Sequence, residues 1–277
     1  MIRHSFIFMI DYLIAILFGM IQGITEFLPV SSSGHLLITH KFLNLPINNE
    51  LAFDVVLHFA TFLAVFFYFL KDIIKILKSW VKSFSGKIDE NASLGWQIIL
   101  ATIPAAAAGY FLEDIIENKL RSVFIVALML FVVAILFVIF EKIKNKQKNI
   151  SDINWKEALI VGFAQSIALI PGTSRSGITI IAGLGIGLKR EAAVRFSFLL
   201  SLPIILGASI KKIPQLFEAG LNNYELSILF VAFFASFIAG WFTIKYFLRF
   251  VKKYSLISFA WYRMALAIIV LLLFLGD

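Results

Sequence analysis

Cysteine is absent from the 277-residue chain, and charged residues make up only 15% of it. The absence of cysteine excludes disulfide bonds, thiolate metal sites and a cysteine nucleophile. A soluble domain of this length would carry about 25% charged residues. Hydrophobic residues amount to 60% of the chain and include 30 phenylalanines. The composition therefore favours a chain whose solvent is largely lipid.

Apolar stretches close to 20 residues long recur along the whole chain, which is typical of a polytopic membrane protein. Asp11 interrupts the first apolar run without a small-residue cleavage site after it, so we predict no cleaved signal peptide. The net charge of +8 indicates basic loops at a membrane surface rather than nucleic-acid binding. We predict eight apolar segments, near residues 10–28, 51–70, 96–112, 122–140, 155–170, 193–209, 226–248 and 256–275.

Two segments of the chain align without a gap. Residues 19–34 (GMIQGITEFLPVSSSG) and residues 162–177 (GFAQSIALIPGTSRSG) are identical at six positions. AGYF at residues 108–111 recurs in the same order as AGWF at residues 239–242. Two matches in one order indicate duplicated halves. We predict one integral membrane domain over residues 1–277, with repeat one near 10–140 and repeat two near 153–275.

Each predicted repeat holds one segment with a polar tip and three plain apolar segments. The tip SSSG at residues 31–34 is followed by HLLITHKFLNL, which is too short to span a bilayer. Irregular backbone at membrane depth needs protein or a watery cavity around it. We therefore predict an all-α polytopic membrane protein with six transmembrane helices and two re-entrant helical hairpins. Because three spans per repeat change side, the second half is expected to be inverted.

Lysine and arginine are distributed unequally between the connectors. If connectors 71–95, 141–156, 189–195 and 249–253 lie inside, they hold 16 of these residues. The outside pieces, 1–9, 41–50, 113–121 and 211–225, then hold 6. Lysine and arginine accumulate in the cytoplasmic loops of membrane proteins. The distribution favours six spans with both termini outside over a plain eight-span arrangement, which would separate the two lysine-rich connectors.

The two polar tips are predicted to meet near the bilayer midplane. Charged groups at that depth are costly and mark functional sites by default. A guanidinium fork suits phosphate oxygens, and each tip starts a helix whose free N–H groups attract anions. The tips together predict a site for a highly charged oxyanion. Their polar residues are Glu26, Ser31, Ser32, Ser33 and His35 in the first tip, and Ser174, Arg175, Ser176 and Thr179 in the second.

Each of these signals also has a simpler interpretation. Serine and glycine clusters can merely allow close helix packing. Glu26 and Arg175 can form a structural ion pair, and His35 can be a hydrogen-bonded interior histidine. The case for a site therefore depends on the combination of residues.

Three further polar positions lie in apolar segments. Asp54 and His58 are four residues apart on one helix face, where they can bind a metal, line the cavity or, more commonly, bond to neighbouring helices. For Arg263 we expect snorkelling toward the surface or structural pairing.

Three motifs carry a resemblance to a known family. EFLPVSSSGHL at 26–36, PGTSRSG at 171–177 and FSFLLSLP at 196–203 resemble the signatures of the undecaprenyl-diphosphatases, the bacitracin-resistance phosphatases of bacterial membranes. The similarity in segment order extends over essentially the whole chain. It implies hydrolysis of undecaprenyl diphosphate to undecaprenyl phosphate and phosphate, which recycles the lipid carrier of cell-wall synthesis. It also implies a bacterial plasma-membrane location and an active site that faces the outer side.

The resemblance further implies a divalent cation, Mg²⁺ or Ca²⁺, with Glu26 as a metal ligand. The family's first motif often has a glutamate four residues before Glu26. Here that position is Gln22, which cannot act as an ionised carboxylate. By motif position the resemblance implicates Glu26, Ser32, His35 and Arg175 in catalysis, and Gln22, Ser31, Ser33, Ser174, Ser176 and Thr179 in substrate binding.

The chemistry leaves two routes and a competing function class open. Ser32 is a candidate nucleophile if His35 accepts its proton, and a water activated by a metal or by Glu26 is the alternative. Inverted repeats with broken helices at the midplane are typical of transporters, so a transporter or flippase of a phosphorylated lipid or other anionic substrate is the competing function. The acidic, serine and histidine residues of one tip, the arginine of the other and the motif match favour the phosphatase.

Overall fold

The computed structural model describes residues 2–47, 49–112, 115, 119–120, 122–143, 146–218 and 220–274. These residues form α-helices joined by short connectors, and an isolated bridge between Lys148 and Leu188 is the β-type pairing found among them. The helices are α1 (Ile2–Thr25), α2 (Ser32–Phe42), α3 (Glu50–Tyr68), α4 (Leu70–Ser83), α5 (Glu90–Phe111), α6 (Val123–Glu141), α7 (Trp155–Ile167), α8 (Arg175–Gly185), α9 (Arg190–Glu218), α10 (Asn223–Lys253) and α11 (Ile257–Phe274).

Five helices are long and apolar enough to cross a membrane: α5, α6, α9 as far as Pro214, α10 and α11. Helices α3 and α4 pass the same test together but are bent by 77° relative to each other, so the described residues hold five or six candidate spans. The predicted all-helical, polytopic character of the chain is thereby confirmed. The apolar part of α1, Met9–Thr25, is shorter.

Polar side chains explain where several helices begin. Asp89 accepts a hydrogen bond from the Ala92 N–H at 2.8 Å and caps α5. Asn154 and Asn222 start α7 and α10 through capping boxes, in which a glutamate three residues later bonds back to the cap. These caps satisfy N–H groups that the first helical turn leaves free.

The lysine-rich stretch 71–95, which the sequence pattern predicts to be a connector, begins with helix α4. Its lysines Lys71, Lys75 and Lys78 are exposed, whereas Ile76 is buried against α5. Apolar residues on one face and lysines on the other are typical of a helix that lies along a membrane surface. The sequence analysis missed this helix because it assigned the stretch to a connector from its lysine content and did not consider the helical spacing of its apolar residues.

Helix packing pairs the two halves of the chain. Helix α1 packs along α10, α7 packs along α5, and α6 packs along α11. Glycine allows two of these contacts, since a Cβ on Gly19 would lie 2.3 Å from the Ala232 carbonyl oxygen, and one on Gly162 would lie 2.7 Å from that of Ala101. Gly19 and Gly162 are equivalent positions in the 143-residue offset. Helices α1 and α7, each of which precedes one of the two polar tips, are therefore held against a long helix from the other half of the chain.

Candidate active site

The same unusual backbone conformation initiates α2 and α8. Ser31 has φ 75° and Ser174 has φ 69°, and these are the non-glycine residues with positive φ in the described part of the chain. Each serine caps its helix by accepting a bond from the N–H three residues later, at 3.3 Å from Gly34 and 3.1 Å from Gly177. A positive φ is rare outside glycine and costs energy, so its occurrence at two equivalent serines marks both tips as specialised.

The tips are in direct contact with each other. The Gly172 N–H donates to Ser33 Oγ at 3.3 Å. The Ser176 hydroxyl donates to the Leu28 carbonyl oxygen at 3.2 Å. Within each tip, the hydroxyl of the capping serine is also hydrogen-bonded to that of the serine two residues later, at 3.2 Å in both cases. The meeting of the tips expected from the repeat is therefore present in the structure.

Glu26 lies where the two tips meet, immediately after α1, and is only 7% exposed. Its Oε1 accepts a bond from Arg175 Nη2 at 2.8 Å. Its Oε2 accepts bonds from the Ser32 hydroxyl at 2.9 Å and from Gln22 Nε2 at 3.0 Å. His58 Nδ1 lies 3.2 Å from the same oxygen. The carboxylate is thus the acceptor that joins α1, α2, α3 and α8.

Arg175 begins α8 and bonds to both sides of the site. Besides Glu26, its guanidinium donates through Nη1 to the Ser197 carbonyl oxygen of α9 at 3.1 Å. The Thr179 hydroxyl lies 2.7 Å from Ser197 Oγ and donates to the Arg175 carbonyl oxygen. The bonds to Glu26 and to the Ser197 carbonyl oxygen use two of the five N–H groups of the Arg175 guanidinium. The ion pair with Glu26 exists, and the arginine keeps further donors for an anion.

His35 is oriented away from the Ser32 hydroxyl. Its Nδ1 lies 2.7 Å from the Ser31 carbonyl oxygen, and its Nε2 lies 2.6 Å from the Tyr262 hydroxyl. With Nδ1 donating to the carbonyl, Nε2 accepts from the tyrosine, so both ring nitrogens are engaged. The hypothesis that His35 accepts the Ser32 proton has no support in this geometry, because Ser32 donates to Glu26 instead. The histidine ring is nearly parallel to that of Tyr262, with the two ring centroids 5.6 Å apart, and the contact connects α2 to α11.

His58 hydrogen-bonds a neighbouring helix, as the sequence favours, and through that contact it also belongs to the site. Its Nδ1 contacts both Gln22 Nε2, at 2.9 Å, and Glu26. Asp54, one turn earlier on α3, pairs instead with His40 at 3.0 Å. The same-face spacing of Asp54 and His58 therefore serves two separate contacts. The sequence feature that could have indicated His58 as a site residue is Gln22, because its side-chain amide can hydrogen-bond an imidazole.

Arg263 holds both tips in place. It is fully buried in α11, so of the two expectations for Arg263, snorkelling to the surface is wrong, whereas structural pairing is present. Its guanidinium donates to the carbonyl oxygens of Pro29 in the first tip and of Gly172 and Thr173 in the second, at 3.0–3.2 Å. It also donates to the carbonyl oxygens of Met129 and Leu130 on α6. An arginine inside an apolar run was itself the available signal.

A cavity of about 200 Å³ adjoins this cluster. Glu26, His58 and Arg175 line it together with apolar residues of α3, α5, α9 and the segment that follows α7. Two further lining atoms, Gln165 Oε1 and Ser209 Oγ, are buried and have no hydrogen-bond partner among the described residues. Buried polar atoms without a partner are costly, so the cavity suits a ligand with polar groups at one end and apolar groups beside them.

The family model described as "Bacitracin resistance protein BacA" matches residues 15–269, which include both tips. The chain belongs to the BacA family. The undecaprenyl-diphosphatase of Rubrobacter xylanophilus is 41% identical over 271 residues, covering 96% of this chain and 100% of that protein. The undecaprenyl-diphosphatases of Alkaliphilus metalliredigens and Trichlorobacter lovleyi are 40% and 42% identical and cover 93% of this chain each, and 97% and 95% of their own lengths.

The motif residues of the BacA resemblance separate into three sets in the structure. Glu26, Ser32, Arg175 and Gln22 form one hydrogen-bonded cluster. Ser31, Ser33, Ser174, Ser176 and Thr179 shape and join the tips around it. His35 faces α11. Catalytic and binding roles for all of these residues stay predictions.

Proposed function

We propose that this BacA-family chain is an integral membrane phosphatase that hydrolyses undecaprenyl diphosphate to undecaprenyl phosphate and phosphate. The observation that carries the proposal is the buried cluster of Glu26, Ser32 and Arg175 at the junction of two helix N-termini. An anion is favoured there by the helix dipoles and the guanidinium. A proton acceptor and a hydroxyl lie in hydrogen-bond contact beside it. A site that only binds an anion would not need the carboxylate of Glu26 and the hydroxyl of Ser32 in contact with each other.

The geometry supports a serine route in which Glu26, rather than His35, is the base. The Ser32 oxygen attacks the terminal phosphorus as its proton passes to Glu26 Oε2, and the bond to the bridging oxygen breaks. The leaving undecaprenyl phosphate takes that proton. Water then attacks the phosphoserine and gives one proton to Glu26, which returns it to Ser32 as phosphate leaves. Arg175 stabilises the charge on the transferred group throughout.

The expected divalent cation fits these residues only together with the substrate. Among the described residues there is no group of three or more His, Asp or Glu that could hold a metal ion. Mg²⁺ is commonly bound by one or two carboxylates plus substrate phosphates. Glu26 would supply the carboxylate, and Gln22 Oε1, which is buried and has no partner in the described chain, would supply an amide oxygen. When bound, the cation neutralises part of the diphosphate charge.

We further propose six spans, two re-entrant hairpins and an inverted repeat. The bent α3–α4 pair followed by α5 and α6 supplies three spans, and α9, α10 and α11 supply three more. Exchanging the halves converts the packing of α1 on α10 into that of α7 on α5, and both are present. The matched φ angles of Ser31 and Ser174 support the same symmetry. The same proposal includes a plasma-membrane location with the site open to the outer side, as the resemblance to the family implies.

The deciding experiment is phosphate release by the purified full-length chain from undecaprenyl diphosphate in detergent. We expect turnover in the presence of Mg²⁺ or Ca²⁺ and none after chelation. Arg175→Lys should retain little activity, because a lysine lacks the bidentate fork. Arg195→Lys is the matched control, since Arg195 pairs with the half-exposed Asp72 at the surface. Binding of the lipid without release would contradict the phosphatase and support a transporter or flippase.

A further inference from the structure

A separate polar cavity of about 550 Å³ is lined by the ends of α6 and α10 and the start of α9. It shares no lining residue with the cavity beside Glu26. Its lining comes from three of the four connectors that the distribution of lysine and arginine assigns to the inside, 141–156, 189–195 and 249–253. The basic residues of the lining are Lys142, Lys146, Lys189, Arg190 and Lys252.

Glu141, the last residue of α6, holds two of these basic side chains in place. Its own side chain is only 2% exposed. Its Oε1 accepts bonds from Arg190 Nε and from the Leu256 N–H, and its Oε2 accepts a bond from Lys146 Nζ at 3.4 Å. A buried carboxylate that is paired and hydrogen-bonded in this way has its charge compensated. Glu141 therefore positions Arg190 and Lys146 without repelling an anion in the cavity.

The cavity keeps positive charge in excess of its internal ion pairs. Glu191, the other acidic residue of the lining, pairs with Lys252 at 3.0 Å. Since five basic and two acidic residues line the cavity, the excess is three positive charges. The Lys142 ammonium and the two terminal nitrogens of Arg190 have no ionic or hydrogen-bond partner in the described part of the chain. An ammonium and a guanidinium are the donors that bind phosphate oxygens best.

An exposed apolar face of α6 leads to this cavity. Its residues recur every three or four positions, which places them on one side of the helix. They are Leu128, Phe131, Ile135 and Ile139. Ile143, four positions after the last of them, is exposed and lines the cavity. An anion that carries an acyl chain would contact the basic groups and the apolar face together, whereas a soluble phosphate compound would contact only the basic groups.

We propose that this cavity binds the phosphate group of an anionic phospholipid of the inner leaflet, with an acyl chain of that lipid along α6. Basic pockets between transmembrane helices on the cytoplasmic side suit such headgroups. The bound phosphate bridges the start of α9 and the ends of α6 and α10, and it thereby stabilises the folded chain. The proposal is independent of the proposed hydrolysis, because it uses none of the residues assigned to that reaction.

The test is a titration of the purified full-length chain in one detergent, in which the melting temperature is followed. The three probes are phosphatidylglycerol, phosphatidylcholine and sodium phosphate. Phosphatidylcholine has the acyl chains without a net negative charge, and sodium phosphate has the charge without the chains. A ligand that binds only the folded chain raises the melting temperature as its concentration passes the Kd. We expect that rise with phosphatidylglycerol and little or none with the other two probes.

Two charge reversals locate the binding. Lys142→Glu should weaken the binding of phosphatidylglycerol about thirtyfold, because one unit of charge changes the affinity roughly fivefold and the reversal changes two. Lys78→Glu is the matched control. Lys78 is an exposed lysine in another stretch assigned to the inside, 71–95, and does not line the cavity. The Kd of this variant should stay within about threefold of wild type, since salt screens distant charges.

Three results would overturn the site. In the first, phosphatidylglycerol does not stabilise the wild-type chain. In the second, Lys142→Glu and Lys78→Glu weaken binding equally, which makes the attraction a general property of the basic surface. In the third, sodium phosphate stabilises as strongly as phosphatidylglycerol, and the ligand is then not a lipid. If Lys142→Glu does not purify as a folded protein, Lys142→Gln carries the same comparison with an expected weakening of about fivefold. Phosphate release from undecaprenyl diphosphate is measured separately, so failure of either proposal leaves the other standing.

Discussion

In the proposed reaction, the contact between Ser32 and Glu26 decides how the attacking oxygen loses its proton. The 2.9 Å bond between the Ser32 hydroxyl and Glu26 Oε2 orients a lone pair of the serine away from the carboxylate. The same carboxylate oxygen could instead receive a proton from water. Both routes use Glu26, and they differ in whether a bond from Ser32 to phosphorus ever forms.

Ser32→Ala distinguishes the two routes. Loss of a nucleophile should reduce kcat by several orders of magnitude, whereas loss of one hydrogen bond to a charged group costs about 1.5–3 kcal/mol, roughly ten- to two-hundredfold. We expect the larger loss. Steady-state phosphate release measures it, and acid-quenched wild type should retain labelled phosphate on serine. A variant rate within the smaller range, with no trapped phosphoserine, points to water.

A second pair of variants tests which residue is the base. Glu26→Gln removes the acceptor of the Ser32 proton, and general base catalysis typically contributes about 10²–10⁴ in rate. His35→Gln removes only the contacts to Ser31 and Tyr262, so about a tenfold loss or less is expected. The comparison is made on kcat for folded, purified variants. A greater loss for His35→Gln than for Glu26→Gln contradicts the assignment.

Sequence patterns locate the residues of the site but not their partners. The motif spacing identifies Glu26, Ser32 and Arg175, because these types are unusual in apolar segments. It does not show that His35 turns toward Tyr262, since a contact 227 positions away in sequence is fixed by how α2 packs against α11. Arg263 was undervalued for the same reason, because its partners are main-chain carbonyls that any residues could supply.

Glycine sets the distance between the hairpins and the helices that hold them. Gly162 on α7 lies so close to Ala101 of α5 that a Cβ would be 2.7 Å from its carbonyl oxygen. Nothing lies within 4 Å of a Cβ built at Gly207 of α9. The two positions are both helical and differ mainly in the space around them.

Gly162→Ala should lower stability, and Gly207→Ala should raise it. Overpacking at the α5–α7 contact is expected to cost about 1–3 kcal/mol. At Gly207, alanine gains about 0.4–1 kcal/mol by restricting the unfolded chain. Apparent melting temperature in one detergent measures both variants. A stabilised Gly162→Ala variant is incompatible with close α5–α7 contact.

At the scale of the whole molecule, hydropathy is the part of the sequence that predicts most of the fold. Apolar stretches near 20 residues long are read directly from composition, and the long helices follow them. Helix ends were less predictable, since α10 runs to Lys253 and α4 occupies a stretch rich in lysine. Charge near a membrane surface is compatible with helix or loop, so it cannot fix a boundary.

The orientation of the whole molecule in the membrane can be measured by cysteine labelling, because the chain has no cysteine of its own. Asn118 and Asn145, in connectors that the basic-residue distribution assigns to opposite sides, lie outside the described residues. Ser85, after α4, and Asn44, after α2, are both exposed and are therefore the positions chosen for labelling. Each would be changed to cysteine as the single thiol of the chain.

In intact cells, Asn44→Cys should react with an impermeant thiol reagent, whereas Ser85→Cys should react only after the membrane is opened. The reason is that lysine and arginine accumulate in cytoplasmic loops, and Ser85 lies in the basic connector 71–95. Phosphate release by both variants is the control for correct folding. The reverse labelling pattern would contradict the proposed orientation and would mean that the Glu26 cluster faces the cytoplasm. Labelling of both positions in intact cells would contradict six spans, because the bent α3–α4 pair would then fail to carry the chain across.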